Sequence, residues 1–309
     1  MPPKHKDLLG LRGAPKEEIE EVLLNAAQLK GILLSNSKKT PHLQGKSIVT
    51  LFYENSTRTR MSFELASKYM SAAAANIAAS GSSVQKGETL IDTGVTLDRM
   101  GTDVIIIRHP HSGAPHLLAK HVRASVINAG DGVNEHPTQA LLDMLTMRER
   151  FGDDLTGLRV AIVGDIEHSR VARSNAFGLR TMGASVVFAG PPTLMPVHPM
   201  QGVEMTHDVG AAVEGADVVM ALRIQKERLG TPRIPSEREY ASIFGLNREK
   251  LERAKEHALI LHPGPMNRGV EITSDLADSA DSKIDEQVTN GVAVRMALLY
   301  LYTRRGAQA

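Results

Sequence analysis

The stretch KSIVTLFYENSTRTRMSFELASKYM, residues 46–70, is the clearest local signal of the fold. Its first part, Lys46–Tyr53, is a run of β-branched and aromatic residues, which is typical of a strand. From Phe63 onward apolar residues recur at helical spacing, and Ser56 is a suitable N-cap for the helix. The stretch therefore predicts a strand that passes through a short polar turn into a helix.

The same alternation continues along the rest of the chain. Further strands are predicted over residues 74–79, 103–107, 125–128, 158–163, 185–189, 217–222 and 258–261. Helices are predicted over residues 16–34, 87–100, 113–122, 136–150, 169–182, 209–214, 247–256 and 284–303, with a long loop over residues 223–239. Strands that alternate with helices in this way form parallel sheets with helices on both faces.

A polar, glycine-punctuated segment at residues 151–157 interrupts the pattern, which then restarts. The length of 309 residues agrees with two domains of roughly 150 residues each. We therefore predict two successive parallel-sheet α/β domains, residues 1–150 and 151–284, followed by a C-terminal helix in residues 285–309.

Composition excludes several classes of protein. The chain has 36 Lys and Arg against 35 Asp and Glu, a net charge of +1, which argues against general binding of nucleic acid. It has no cysteine, so disulfides, thiolate metal sites and cysteine nucleophiles are excluded. No secretory signal is recognisable, and no apolar run approaches the roughly 18 residues of a membrane span. We therefore expect a cytoplasmic protein with no membrane partner.

The turn after the first strand is the strongest candidate site. Ser56-Thr57-Arg58-Thr59-Arg60 places three hydroxyls and two guanidinium groups at a helix N-terminus. Unpaired backbone N–H groups and the helix dipole favour a phosphate there. The alternative is an ordinary helix start with solvated arginines.

Three other segments of the first half are weaker when taken alone. A Gly/Ser-rich loop ends at Lys86 and suits either a mobile lid or a flexible surface loop. Arg108 follows a predicted strand and is expected to face a ligand crevice, whereas the histidines near it are expected to be structural. His136 and Gln139 share the first turn of a predicted helix, where they could hold a carbonyl oxygen and an amide or act only as caps.

The second half offers positive charge and a rigid loop. The segment after residues 158–163 lacks the glycines of G-x-G-x-x-G, so dinucleotide binding is rejected. Arg170 and Arg223 follow two predicted strands, and such a pair suits a ligand with two carboxylates, with surface ion pairs as the alternative. The loop His262-Pro263-Gly264-Pro265 either offers bare backbone carbonyls to an amide or forms a tight turn.

Together these segments resemble the catalytic chains of aspartate carbamoyltransferases, within the aspartate/ornithine carbamoyltransferase superfamily. The segments at 56–60 and 136–139 are similar to both branches of the superfamily. Arg223-Ile224-Gln225 and His262–Pro265 resemble the aspartate branch, because the ornithine branch has a His-Cys-Leu-Pro segment near its last strand. The resemblance implies transfer of the carbamoyl group from carbamoyl phosphate to L-aspartate, an early step of de novo pyrimidine biosynthesis, with no metal or cofactor.

The resemblance also implies the roles of individual residues. The carbamoyl phosphate set is Ser56, Thr57, Arg58, Thr59, Arg108, His136, Gln139, Gly264 and Pro265, of which Arg58, Thr59, Arg108 and His136 are catalytic. The L-aspartate set is Lys86, Arg170, Arg223 and Gln225. In a homotrimer with shared active sites, Ser82 and Lys86 come from a neighbouring subunit. The first domain then binds carbamoyl phosphate, the second binds aspartate, and the C-terminal helix returns to the first domain.

Two alternative functions stay open at this point. A carbamoyltransferase for ornithine or a related amine would need an acidic group for the acceptor's cation, whereas residues 223–229 offer mainly positive charge. A non-catalytic scaffold should have lost residues of the phosphate and carbonyl sets, which are all present. A regulatory chain or a dihydroorotase is a possible partner of the trimer.

Overall fold

Strands and helices alternate through the computed structural model, which describes residues 5–78, 87–224 and 234–304. The strands are β1 (Ser47–Phe52), β2 (Ala73–Ala78), β3 (Val104–His109), β4 (Ser125–Asp131), β5 (Arg159–Val163), β6 (Ser185–Ala189), β7 (Glu204–Thr206), β8 (Val218–Ala221) and β9 (Leu259–Leu261). The helices are α1 (Lys16–Leu34), α2 (Thr57–Tyr69), α3 (Leu90–Arg99), α4 (Ala114–Ala119), α5 (Pro137–Phe151), α6 (Arg170–Thr181), α7 (Val209–Val213), α8 (Glu237–Ile243), α9 (Arg248–Leu251), α10 (Ser274–Ala277) and α11 (Ile284–Thr303). One unit of the chain comprises Met1–Leu145 and Thr289–Ala309, and the other comprises Thr146–Val288.

The first unit contains a four-stranded parallel sheet in the order β2-β1-β3-β4. Strand β2 forms one edge and is rich in alanine, with most of its side chains exposed. The other edge is covered by the N-terminal segment, because Leu8 pairs in parallel with Ile127 of β4. The Leu8 backbone N–H donates to the Val126 carbonyl at 2.9 Å, and the Asn128 N–H donates to the Leu8 carbonyl at 2.8 Å.

The second unit contains a five-stranded parallel sheet in the order β7-β6-β5-β8-β9. Strands β5, β6, β8 and β9 are buried along nearly their whole length, as expected for a parallel sheet with helices on both faces, whereas the edge strand β7 is exposed or half-buried. The predicted fold class, two parallel-sheet α/β domains, is therefore confirmed.

Strand order places one topological switch point in each sheet. In the first unit the chain moves from β1 outward to β2, then returns to β3 on the other side of β1. In the second unit it moves from β5 outward to β6 and β7, then returns to β8. Ligands of open parallel sheets bind at such points, outside the carboxyl ends of the strands. The loops after β1, β3, β5 and β8 are therefore the places where the fold favours binding.

The two longest helices differ in burial. Helix α1 buries one stripe, which includes Ile19, Leu23 and Ala26, whereas α11 is buried on nearly all sides between residues 292 and 299. The bounds of both agree with the sequence prediction. Within the ranges given above, every helix is too short or too polar to be a candidate for a membrane span.

Helix α10 was not predicted, and three other local differences from the prediction have a clear physical reason. Strand β7 was not predicted, because three residues at a sheet edge are too short to show an alternating pattern. Helix α8 begins inside the predicted loop 223–239, where the Ser236 hydroxyl accepts from the Glu239 N–H at 3.1 Å. Helix α9 ends at Leu251 instead of residue 256, since the Lys255 N–H donates to the Ala216 carbonyl.

Candidate active site

The N-terminus of α2 lies at the switch point of the first sheet, where the fold favours binding of an anion. Ser56 is its N-cap, and the Ser56 hydroxyl accepts from the Thr59 N–H at 3.4 Å. Thr57 and Arg58 are exposed, whereas Thr59 is buried. The positive end of the helix dipole, the first-turn N–H groups and the exposed residue Arg58 therefore belong to the same turn, which is a suitable place for a phosphate.

Arg108 lies on the other side of the same switch point. It is the last residue but one of β3 and pairs in register with Phe52 of β1. Its Nη1 donates to the Ala129 carbonyl and its Nη2 to Glu54 Oε1, each at 3.4 Å, and its side chain is 11% exposed. These long hydrogen bonds hold the guanidinium at the sheet edge and leave it able to exchange Glu54 for a ligand oxygen.

The loop before α5 is fixed by the buried carboxylate of Asp131. Its Oδ2 accepts from the Gly113 N–H at 2.7 Å, and its Oδ1 accepts from the Asn128 amide at 2.8 Å and the Glu135 N–H at 3.1 Å. A carboxylate with this many donors is strongly held. Asp131 therefore anchors the chain immediately before His136.

His136 and Gln139 are both nearly buried at the start of α5, with exposed fractions of 5% and 8%. The Nδ1 atom of His136 lies 3.4 Å from the Thr138 hydroxyl. The Nε2 atom of Gln139 donates to Asp143 Oδ1 at 2.9 Å. Each side chain is therefore confined, which suits a group that must meet a ligand in one orientation.

Arg170 and Arg223 follow β5 and β8, the strands on either side of the second switch point. Arg170 is the first residue of α6 and is buried, and Ser169 caps that helix by accepting from the Ala172 N–H at 3.1 Å. Arg223 is half-buried. The second sheet thus presents two guanidinium groups at the edge where a ligand of this fold binds.

The loop after β9 is shaped by His262. Its backbone N–H donates to Gln287 Oε1 at 2.9 Å, and its Nδ1 accepts from the Gly264 N–H at 2.8 Å. The hydrogen of the neutral ring is then on Nε2, which faces Glu271 Oε1 at 3.3 Å. Gly264 has φ +61°, in the left-handed region that favours glycine. His262 is therefore a structural residue that sets the course of the loop through Gly264 and Pro265.

The predicted site residues are grouped by strand end. In the first unit they lie at or directly after the carboxyl ends of β1, β3 and β4, which are neighbours in the sheet: Ser56, Thr57, Arg58 and Thr59 after β1, Arg108 near the end of β3, and His136 and Gln139 after β4. In the second unit Arg170, Arg223, Gly264 and Pro265 follow β5, β8 and β9, which are also neighbours. Ser82, Lys86 and Gln225 lie outside the described residues. Over the described ranges, no group of three or more His, Asp or Glu side chains is placed to hold a metal ion.

Comparison with known proteins decides the family. The model of the aspartate/ornithine carbamoyltransferase carbamoyl-P binding domain matches residues 6–149, and that of the Asp/Orn binding domain matches residues 156–302. The chain is also 66% identical to the aspartate carbamoyltransferase catalytic subunit of Ruminiclostridium cellulolyticum, over 98% of this chain and 97% of that protein. The chain belongs to the aspartate/ornithine carbamoyltransferase family.

Solved carbamoyltransferases share the fold irrespective of their acceptor. The aspartate transcarbamoylase of Trypanosoma cruzi in complex with N-(phosphonacetyl)-L-aspartic acid superposes with a TM-score of 0.87 at 29% identity, over 96% of both chains. The ornithine carbamoyltransferase of Pyrococcus furiosus superposes with a TM-score of 0.84 at 30% identity, also over 96% of both chains. The carbamoyltransferase fold alone therefore does not choose between aspartate and ornithine.

The sequence analysis did not predict three residues that support the candidate site. These residues are Glu54, which lies in the turn between β1 and α2, Asp131 at the end of β4, and Asp143 within α5. Asp143 lies four residues after Gln139, a spacing at which helical side chains meet, so it could have been found. The role of Asp131 depends on Gly113 and Asn128 in other elements, which no local pattern indicates.

Proposed function

We propose that the chain is a catalytic subunit that transfers the carbamoyl group of carbamoyl phosphate to the amine of L-aspartate, giving N-carbamoyl-L-aspartate and phosphate. The observation that carries this proposal is the 66% identity, over nearly the full length of both chains, to a protein named aspartate carbamoyltransferase catalytic subunit. The likeness to the ornithine enzyme of Pyrococcus furiosus is 30%. Two arginines at the second switch point agree with an acceptor that carries two carboxylates.

The phosphate group binds at the N-terminus of α2 in this proposal. The hydroxyls of Ser56, Thr57 and Thr59, the backbone N–H groups of the first turn and the Arg58 guanidinium hold its oxygens. These donors also stabilise the charge that the phosphate gains when it leaves.

The carbonyl oxygen of carbamoyl phosphate accepts from Arg108, His136 and Thr59. That oxygen gains negative charge as the amine attacks, and each preorganised donor is worth roughly 3–4 kcal/mol on the scale of other oxyanion holes. The carbamoyl NH₂ group donates to Gln139 and to the backbone carbonyls of Gly264 and Pro265.

Arg170 and Arg223 bind the two carboxylates of L-aspartate, with help from Lys86 and Gln225. The amine nitrogen attacks the carbonyl carbon, a C–N bond forms, and the C–O bond to phosphate breaks. The departing phosphate takes the proton of the amine, so the step needs no further reactant. Much of the acceleration comes from holding the two substrates in the reacting orientation.

We also propose that the chain acts as a homotrimer in which Ser82 and Lys86 serve the active site of a neighbouring subunit. The exposed, alanine-rich edge strand β2, which ends directly before residues 79–86, supports this proposal, because proteins rarely leave such an edge uncovered. Residues 1–150 bind carbamoyl phosphate, residues 151–284 bind aspartate, and residues 285–309 return to the first domain. A regulatory chain or a dihydroorotase is the proposed kind of partner for this catalytic subunit.

A bisubstrate ligand tests the choice of acceptor by binding alone. N-(phosphonacetyl)-L-aspartic acid, the compound bound to the Trypanosoma cruzi enzyme, should raise the melting temperature by at least about 5 °C at saturation. The matched compound built on L-ornithine should give less than about a fifth of that shift. Differential scanning fluorimetry measures both, and stabilisation by the ornithine compound alone would contradict the proposal.

A further inference from the structure

In the first turn of α5, the side chain of Gln139 is hydrogen-bonded to the buried carboxylate of Asp143. Gln139 Nε2 donates to Asp143 Oδ1 at 2.9 Å, and Asp143 is completely buried. A carboxylate only accepts hydrogen bonds, so it selects the orientation of the Gln139 amide in which the nitrogen faces Asp143. The amide oxygen of Gln139 is then directed away from Asp143.

Arg295 of α11 compensates the charge of this carboxylate. Its exposed fraction is 4%. Burial lowers the pKa of Arg295 to about 10, against the attraction of Asp143, so the guanidinium is charged near neutral pH. A buried carboxylate without a cation is strongly unfavourable, and Arg295 supplies that cation.

Two further contacts hold Arg295 in place. Its Nη1 donates to the Gly291 carbonyl at 3.0 Å, and its guanidinium carbon lies 5.1 Å from the centre of the Phe63 ring of α2. A Cβ atom on Gly291 would lie 2.7 Å from that Nη1, so glycine leaves the room that the guanidinium occupies. Arg295 thus connects α11 to the helices whose first turns carry the candidate phosphate and amide sites.

From this geometry we infer that Asp143 is a positioning residue that turns the Gln139 oxygen toward the NH₂ group of carbamoyl phosphate, and that Arg295 offsets its charge. The inference rests on the proposed function, in which Gln139 contacts that NH₂ group. A Gln139 amide turned the other way would present its own NH₂ to the substrate NH₂, two donors with no acceptor. The C-terminal helix therefore acts on substrate recognition as well as on folding.

The isosteric variant Asp143→Asn tests this inference. An asparagine can present either its oxygen or its nitrogen to Gln139, so the orientation of the Gln139 amide is no longer selected. We expect affinity for phosphonoacetamide, which has the NH₂ group, to fall about tenfold, while affinity for inorganic phosphate stays within about twofold. Isothermal titration calorimetry of both ligands gives the ratio, and a general disturbance of the site would weaken both alike.

Two further variants separate the possible outcomes. Gln139→Leu should lose the same selectivity for phosphonoacetamide, and adding Asp143→Asn to it should change the ratio no further. Gly291→Ala displaces Arg295 with all charges kept, so it tests the same ratio if Asp143→Asn does not fold. A loss in Gln139→Leu with unchanged ratios in Asp143→Asn and Gly291→Ala overturns the inference and leaves the proposed function standing. An unchanged ratio in Gln139→Leu overturns the contact between Gln139 and the NH₂ group itself.

Discussion

Replacement of His136 by alanine is expected to lower kcat by about 10²–10³, with the affinity for inorganic phosphate kept within about twofold. The imidazole is nearly buried at the start of α5 and is anchored through the Asp131 network that precedes it. In the proposed step it donates to an oxygen that carries full negative charge only in the transition state. Loss of this donor therefore changes the rate of the step much more than ground-state binding.

The matched control for this experiment is His121→Ala. His121 is an exposed histidine just after α4, where its ring contacts the Leu117 carbonyl at 2.9 Å. Its removal should leave kcat unchanged. Steady-state kinetics with both substrates saturating measures the effect, and an unchanged kcat in His136→Ala would remove that residue from the transition state.

Mixing two inactive variants, Arg58→Ala and Lys86→Ala, is expected to restore activity once the subunits have exchanged. In a trimer whose sites combine Arg58 of one chain with Lys86 of its neighbour, an equal mixture makes about one site in four intact. Recovery of about a quarter of the unmodified activity is therefore predicted. The product assay, run before and after a cycle of mild dissociation and reassembly, measures it.

A second mixture provides the control for subunit exchange. Arg58 and His136 follow β1 and β4 of one sheet, so both come from the same chain. Mixing Arg58→Ala with His136→Ala should therefore restore nothing. If confirmed mixed oligomers of Arg58→Ala and Lys86→Ala also stay inactive, each active site is built within one chain.

Strand β1 and the helix α2 that follows it show why part of the fold could be predicted. The strand contains the consecutive β-branched residues Ile48, Val49 and Thr50, and the helix starts after a capping serine, so both are encoded by neighbours in sequence. Strand order is different, because it depends on which strands pair across the sheet. The alternation implied parallel sheets, whereas the places of β2 and β7 at the edges became visible only in the structure.

The residues of the candidate site could also be predicted only in part. Residues that would touch ligands lie in short motifs at strand ends, and Arg58, Arg108 and His136 could be chosen from sequence for that reason. Residues that hold those side chains lie far away along the chain. Asp143 depends on Arg295 of the last helix, and no periodicity or spacing connects the two.

The residues at the two switch points give a physical reason why the two sheets are proposed to bind different substrates. The first sheet presents a helix N-terminus with hydroxyls beside Arg108, which suits a phosphate next to a carbonyl group. The second presents Arg170 and Arg223 at the ends of adjacent strands, which suits two carboxylates. An acceptor with a cationic side chain would meet positive charge there, at a cost that favours aspartate over ornithine.

The most direct test of this account is a product assay on the purified chain alone. Carbamoyl phosphate is supplied with L-aspartate or, in parallel, with L-ornithine, and the ureido product is measured. The account predicts turnover with L-aspartate and none above background with L-ornithine. Turnover with L-ornithine alone would contradict it, and so would the absence of turnover with both acceptors from a folded protein that binds carbamoyl phosphate.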